Sequence, residues 1–107
     1  MKEKWLLLSL IGFLISCSKQ ESMDALTARV FTVAEQQYLT MDTRLEVTTL
    51  PQSIASDSTF KSSTIYWWCS GFYPGSLWYI YEYTQNEAVK TLAEKNTLKL
   101  DPIQYVT

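Results

Sequence analysis

The chain has 107 residues, of which 47% are hydrophobic, and a formal net charge of −2 at pH 7. It lacks the clustered lysines and arginines that mark a nucleic-acid-binding surface, so we expect no nucleic-acid partner. It also contains no histidine, which excludes both a histidine-based metal site and a Ser-His-Asp triad built from these residues.

The first part of the chain has the pattern of a secretory signal. A charged start is followed by an apolar run over residues 5–15, which is shorter than the roughly 20 residues that a membrane-spanning helix needs. The run ends on Leu14-Ile15-Ser16-Cys17, which resembles the bacterial lipobox, in which the cysteine becomes the lipidated first residue of the mature protein. We therefore predict a lipoprotein signal peptide over residues 1–16 and a lipid on Cys17.

These assignments imply a lipoprotein of the bacterial cell envelope, periplasmic or surface-facing. Residues 17–22 form a polar tether, and the acyl chains on Cys17 hold the protein at the membrane. The alternative is a plain cleaved signal in which Cys17 is incidental.

Residue 23 begins a predicted helix that runs to about residue 41. One apolar stripe, predicted to face a core, consists of Met23, Leu26, Val30, Val33, Ala34, Leu39 and Met41. Residues 42–63 contain Pro51 and many serines and threonines with little periodicity, which predicts a long surface loop. Loops of this length in compact domains are often functional.

Residues 66–83 hold nine of the chain's fifteen aromatic residues. A helix is predicted to begin at about Pro74, with Leu77, Trp78 and Tyr81 on its buried face, because proline suits the first helical turn. Gly71, just before it, is expected to allow a sharp turn and a close approach of the backbone to another group. The tandem tryptophans 67 and 68 precede the helix, and composition leaves open whether they fill a core or offer a stacking surface.

A further helix is predicted from residue 87 to about residue 100. Its inner face is predicted to consist of Ala88, Leu92, Ala93, Asn96 and Leu100. A polar break at residues 84–86 makes the two helices an antiparallel αα-hairpin. If Cys17 is acylated, Cys69 forms no internal disulfide, and it is a buried filler or, alternatively, a reactive thiol.

The segment Trp68-Cys69-Ser70-Gly71-Phe72-Tyr73-Pro74-Gly75-Ser76-Leu77-Trp78-Tyr79-Ile80-Tyr81-Glu82 resembles a family signature, W-x-x-G-F-x-P-G-x-L-W-x-x-Y-E. This signature lies near the N-terminus of the unsaturated glucuronyl hydrolases, glycoside hydrolase family 88. The likeness to unsaturated rhamnogalacturonyl hydrolases is looser. The resemblance to the glucuronyl hydrolases extends more weakly over residues 23–107. It implies an all-α protein with an (α/α)6 barrel, of which about three helices are present here, so residues 23–107 are expected to be an incomplete N-terminal part.

The resemblance also implies an activity. The family acts on 4,5-unsaturated uronic acid at the non-reducing end of oligosaccharides left by polysaccharide lyases, including those from glycosaminoglycans. Its members hydrate the vinyl-ether double bond with two aspartates and without a metal or organic cofactor. The first aspartate lies in an H-D-x-G-F-like motif that has no counterpart here. We therefore predict no catalytic residue in this chain, and no activity for it alone.

The resemblance also implies a substrate-binding role for two tryptophans. Trp68, together with Trp67, occupies the place of a family tryptophan at the substrate pocket, so both are predicted to contact the unsaturated oligosaccharide. A different hypothesis is a non-catalytic, lipid-anchored helical module for carbohydrate binding or interaction. A third is an inactive remnant, and whether the chain belongs to a working enzyme stays open at this point.

Overall fold

The computed structural model describes residues 20–106. In chain order these form helix α1 (Met23–Asp42), strands β1 (Thr49–Ile54) and β2 (Phe60–Thr64), helices α2 (Phe72–Thr84) and α3 (Glu87–Leu98), and a short 3-10 helix (Asp101–Tyr105). The predicted signal peptide, the lipidation site Cys17 and most of the tether lie outside the described residues. Within residues 20–106, none of the helices has the length and apolar character needed to cross a bilayer.

Helix α1 begins at a side-chain cap and is only partly covered. The backbone N–H of Ala25 donates to Oγ of Ser22 at 3.2 Å, which satisfies one of the free N–H groups of the first turn. The predicted apolar stripe is not buried along its length, because Met23 is 72% exposed and Val30 is 51% exposed. The residues of α1 that pack on the core are Phe31, Ala34, Tyr38, Leu39 and Met41.

Residues 49–64 form an antiparallel β-hairpin, so the prediction of a long loop over residues 42–63 is wrong. The expectation of an all-α protein is correspondingly incomplete, although most of the described chain is helical. Strand β1 contains Pro51, which cannot donate to the ladder, and the pairing shifts between Pro51 and Ser53, leaving Gln52 as the extra residue of a bulge. Leu50 is the single buried residue of the two strands. The strands therefore do not alternate between apolar and polar residues, and the sequence gives no strand signal.

Helix α2 begins at Phe72, two residues before the predicted start. The N–H of Gly75 donates to the carbonyl of Gly71 at 3.1 Å, and Pro74 lies in the first turn, where a missing N–H removes no helical bond. Gly71 has ordinary helical angles, φ −73° and ψ −17°. A Cβ added there would meet nothing within 4 Å, so the expected close approach does not occur within the described chain.

Helices α2 and α3 form the predicted αα-hairpin. Gln85 ends α2 in the left-handed conformation with φ 55°, and Asn86 caps α3 by accepting a hydrogen bond from the N–H of Ala88 at 2.9 Å. The inner face of α3 contains Ala93 and Asn96 as predicted, but Val89 is buried and Ala88 is exposed. The buried apolar core consists of Leu50, Tyr73, Leu77, Ile80, Val89 and Ala93.

Of the two aromatic residues predicted on the buried face of α2, Tyr81 is partly buried but Trp78 is 37% exposed, and both contact α3. Nε1 of Trp78 donates to Oγ1 of Thr97 at 3.0 Å, and the hydroxyl of Tyr81 donates to Oε1 of Glu87 at 3.4 Å. The Trp78 and Tyr81 rings meet edge to face with centroids 6.2 Å apart. These polar contacts fix the rotation of the two helices relative to each other in addition to the apolar packing.

Candidate functional site

The tandem tryptophans lie on a tightly turned loop between β2 and α2. The N–H of Trp67 donates to the carbonyl of Thr64 at 3.2 Å, that of Ser70 to Trp67 at 2.9 Å, and that of Phe72 to Cys69 at 3.1 Å. Successive backbone bonds of this kind leave few free dihedral angles in the loop. The loop therefore presents its side chains from an ordered backbone.

Trp68 points away from the core of the described chain. Its side chain is 84% exposed, whereas Trp67 is half-buried. The two rings meet edge to face with centroids 6.1 Å apart and an interplanar angle of 63°, so Trp67 supports one edge of Trp68. A core-filling role for Trp68 is thus excluded within residues 20–106, and its indole face is open for stacking. Its contact with a saccharide stays a prediction.

Cys69, next to Trp68, is half-buried and is a free thiol within the described residues. The prediction of a buried filler is therefore only partly met. Ser70, which follows it, is buried.

A groove of about 670 Å³ lies between the C-terminal part of α1, the β-hairpin and the first turn of α2. Its lining includes Tyr38, Arg44, Gln52, Phe60, Phe72 and Ser76. Neither tryptophan lines it, but Phe72 is 69% exposed at its side and follows Trp68 by four positions. Four Cα–Cα steps span at most about 15 Å, so the Cα atom of Trp68 lies within that distance of the Cα atom of Phe72.

One wall of the groove is a stacked pair of tyrosines. The rings of Tyr38 and Tyr73 lie 5.5 Å apart with an interplanar angle of 10°, and the Tyr73 hydroxyl donates to the carbonyl of Tyr38 at 3.4 Å. Burial, together with the neighbouring Asp42 carboxylate, raises the pKa of Tyr73. Tyr73 is therefore a neutral hydrogen-bonding group at physiological pH.

Asp42 is buried and joins α1 to α3. Its carboxylate accepts a hydrogen bond from Nζ of Lys95 at 2.9 Å and another from Nδ2 of Asn96 at 2.9 Å, and only 8% of the residue is exposed. Burial opposes ionisation, but these two bonds and the charges of Lys95 and Lys99 outweigh it and lower the pKa of Asp42. Asp42 is therefore a structural group that links two helices distant in sequence, and it is not a solvated surface carboxylate.

The remaining polar contacts between helices are also structural. Oε1 of Glu35 on α1 accepts a hydrogen bond from Nδ2 of Asn86 at 2.8 Å. Nζ of Lys99 donates to the carbonyl of Thr49 at 3.0 Å and so connects α3 to β1. Within residues 20–106, no group of three or more Cys, Asp or Glu side chains is placed to hold a metal ion.

The described chain is mainly helical and exposes Trp68 on the loop ahead of α2. Comparison with known proteins finds a short similarity that suggests a relation to glycoside hydrolases. The chain is similar to the unsaturated chondroitin disaccharide hydrolase of Streptococcus pneumoniae (strain ATCC BAA-255 / R6), with 52% identity over 31 residues. The match covers 29% of this chain and 8% of that protein. No protein-family profile and no solved structure matches the chain.

The similarity supports the coarser part of the predicted resemblance, a relation to glycoside hydrolases, and leaves membership of family 88 as a proposal. Sequence reasoning missed three features of the site: the buried Asp42, the groove, and Arg44 on its lining. Phe72 is a fixed position of the signature and could have been singled out. Arg44 carries no such signal, because it lies in the segment that was predicted to be a loop.

Proposed function

We propose that this chain is the N-terminal part of a glycoside hydrolase that acts on 4,5-unsaturated uronic acid at the non-reducing end of lyase-generated oligosaccharides. The observation that carries the proposal is the 52% identity over 31 residues with a hydrolase of unsaturated chondroitin disaccharides. The family signature over residues 68–82 and the exposed Trp68 ring support it.

The apolar surface of the helices supports a larger helical domain, such as an (α/α)6 barrel. Phe72 and Tyr79 are seven positions apart on one side of α2, and they are 69% and 72% exposed. Leu98 on α3 is also 72% exposed. A helix that is apolar on most of its faces is normally buried on all of them. Further helices of the same polypeptide would cover these faces.

In this proposal the described residues bind and orient the sugar and leave the chemistry to carboxylates elsewhere in the protein. Hydration of a vinyl ether needs a proton donor for the alkene carbon and a base for the attacking water. Asp42 is unsuited to either role, because its carboxylate is buried and bonded to Lys95 and Asn96. Trp68, supported by Trp67, offers an apolar face for the flat unsaturated ring.

The proposal includes a location. A lipid on Cys17 would anchor the hydrolase in the bacterial cell envelope, and the lipobox-like Leu14-Ile15-Ser16-Cys17 after an apolar run supports this.

The test is the intact mass of the native product from its own cells, together with its action on unsaturated chondroitin disaccharide. We expect a mass several times that of 107 residues, with acyl chains on Cys17, and loss of the ultraviolet absorbance of the unsaturated uronate. A native product no longer than this chain that binds the disaccharide without consuming it would contradict the hydrolase and favour a carbohydrate-binding module, the alternative that the exposed Trp68 allows. A product that neither folds nor binds would mean an inactive remnant.

A further inference from the structure

The loop that carries Trp67 and Trp68 starts from the base of the β-hairpin. The N–H of Trp67 donates to the carbonyl of Thr64, the last residue of β2, at 3.2 Å. Thr64 pairs in turn with Thr49, the first residue of β1. Because backbone hydrogen bonds follow one another from Thr64 to the loop, the position of the two rings depends on how the base of the hairpin is held.

The hairpin holds its own base only weakly. An isolated two-stranded hairpin is at best marginally stable in water, and Leu50 is the single buried residue of these two strands. The bulge between Pro51 and Ser53 also interrupts the pairing close to the base. A contact from outside the hairpin is therefore important for keeping its base in one place.

Lys99, directly after the last residue of α3, supplies such a contact. Its Nζ donates to the carbonyl of Thr49 at 3.0 Å and to that of Glu46 at 3.5 Å. These two carbonyls belong to one tight turn, in which the N–H of Thr49 donates to the Glu46 carbonyl at 3.2 Å and the N–H of Glu46 donates to Oγ1 of Thr49 at 3.1 Å. A single ammonium group thus joins the start of β1 to the end of α3.

The environment of Lys99 differs from that of a solvated lysine. The residue is half-buried, and none of the salt bridges within residues 20–106 includes it. Burial and the charge of Lys95 lower the pKa of Lys99, although the Asp42 carboxylate opposes this. A lysine usually extends its ammonium group into water, so the two backbone carbonyls must compensate for the lost hydration. The side chain is therefore held by the hairpin.

Apolar packing between α3 and the start of the loop is incomplete. A cavity of about 410 Å³ lies at this junction, and its lining includes Thr64, Ile65, Tyr66, Leu98, Lys99 and Pro102. Side chains that border a cavity lack close partners on that side. The hydrogen bonds of the ammonium group therefore carry a larger share of the connection here than they would in a close-packed interface.

We propose that Lys99 is a positioning residue for the tandem-tryptophan loop. Through Thr49 and Thr64 it fixes where the Trp68 ring stands when a ligand binds, and it does not contact the ligand itself. The inference rests on the proposed function for the identity of the ligand, and it adds a residue remote from the family signature on which binding depends.

The first test is amide hydrogen exchange of the full 107-residue chain, measured by NMR for the wild type and for Lys99→Met, which keeps the apolar stem but removes the donors. The amides of Trp67 and Ser70 should exchange about fivefold faster in the variant, the effect of losing a partly exposed hydrogen bond to a charged group. Amides within α2, such as that of Ile80, should change much less. Lys99→Arg, which can also donate to two carbonyls, should restore slow exchange of the loop.

Lys95→Met is the matched control. It removes a cation from the same helix, but that cation bonds to Asp42 and not to the hairpin. Exchange of the Trp67 and Ser70 amides should therefore stay at the wild-type rate in this variant.

The second test is titration of the same variants with unsaturated chondroitin disaccharide while tryptophan fluorescence is measured. Lys99→Met should bind about fivefold more weakly than the wild type with an unchanged far-UV circular dichroism spectrum. Lys99→Arg and Lys95→Met should bind like the wild type. If Lys99→Met does not fold, Lys99→Gln, which keeps one donor group, replaces it in both tests under the same criteria.

The outcomes separate this inference from the proposed function. Equal acceleration of loop and α2 amides in Lys99→Met would mean that Lys99 stabilises the chain as a whole, and unchanged loop amides would mean that it does not hold the loop; either result overturns the positioning role. Undiminished disaccharide binding by Lys99→Met would also overturn it and leave the hydrolase proposal in place. A wild type that binds no disaccharide would count against the proposed function, while the exchange rates would still decide the role of Lys99.

Discussion

Replacing Asp42 by asparagine tests whether a buried carboxylate holds α1 against α3. The substitution keeps the shape of the side chain but removes the charge that accepts hydrogen bonds from Lys95 and Asn96, both at 2.9 Å. A hydrogen bond to a charged group stabilises by about 1.5–3 kcal/mol and a neutral one by about 1, so the Asn96 bond loses about 1 kcal/mol. The Lys95 side chain is 51% exposed, which limits its share to about 0.5 kcal/mol.

We therefore expect Asp42→Asn to lower the free energy of unfolding by about 1.5 kcal/mol at pH 7, measured by urea denaturation with far-UV circular dichroism. Glu94→Gln is the control, since it removes a carboxylate from an exposed position of α3, and it should change stability by less than about 0.5 kcal/mol.

The stability difference between wild type and Asp42→Asn should also depend on pH, and it should decrease as the pH falls. The pKa of Asp42 is lower in the folded chain, so its stabilising contribution is complete above about pH 4 and is lost as the pH falls through the folded-state pKa. The difference between wild type and Asp42→Asn should then close in acid. A difference that is the same at pH 7 and at about pH 2, or that is absent at pH 7, would refute the assignment of Asp42 as an ionised structural group.

Substitutions at three other positions test the local structure by the same denaturation assay. Asn86→Ala should cost about 1–2 kcal/mol, because it removes the cap of α3 and the bond to Glu35, while Asn86→Ser should restore the cap alone; wild-type stability of Asn86→Ser would argue against the Glu35 contact. Ser58→Gly should stabilise the chain by up to about 1 kcal/mol, since Ser58 has φ 66° in the hairpin turn, and a destabilised variant would count against that turn. Thr97→Val should cost about 1 kcal/mol by removing the acceptor of the Trp78 indole, and no change would mean that this bond contributes nothing.

The helices were predictable because their signals are local. Helical periodicity, Pro74 in a first turn and the polar break at residues 84–86 located α2 and α3 to within about two residues, which is the usual uncertainty of helix ends. The hairpin was not predictable in this way, because Pro51 and the serines of its strands are typical of loops, and it buries only Leu50. Its pairing depends on packing against the helices.

The residues of the site also differ in whether their signals are local in the sequence. The exposed Trp68 lies in a motif dense enough to be singled out from the sequence, and the structure places it on a loop ahead of α2 as predicted. Asp42 and its partners Lys95 and Asn96 are separated by more than fifty positions, so nothing local pairs them. The groove could not be predicted for the same reason: Arg44 and Phe72 are far apart in the sequence and line one groove only in the folded chain.

The central claim, that the Trp68 loop binds an unsaturated uronate, is tested most directly by titrating the chain with unsaturated chondroitin disaccharide and with its saturated counterpart while tryptophan fluorescence is measured. We predict saturable quenching that is stronger for the unsaturated sugar and is lost in Trp68→Ala. Because Trp68 is 84% exposed, that variant should keep its unfolding free energy to within about 0.5 kcal/mol. Equal quenching in wild type and Trp68→Ala, or loss of binding only through unfolding, would contradict the account.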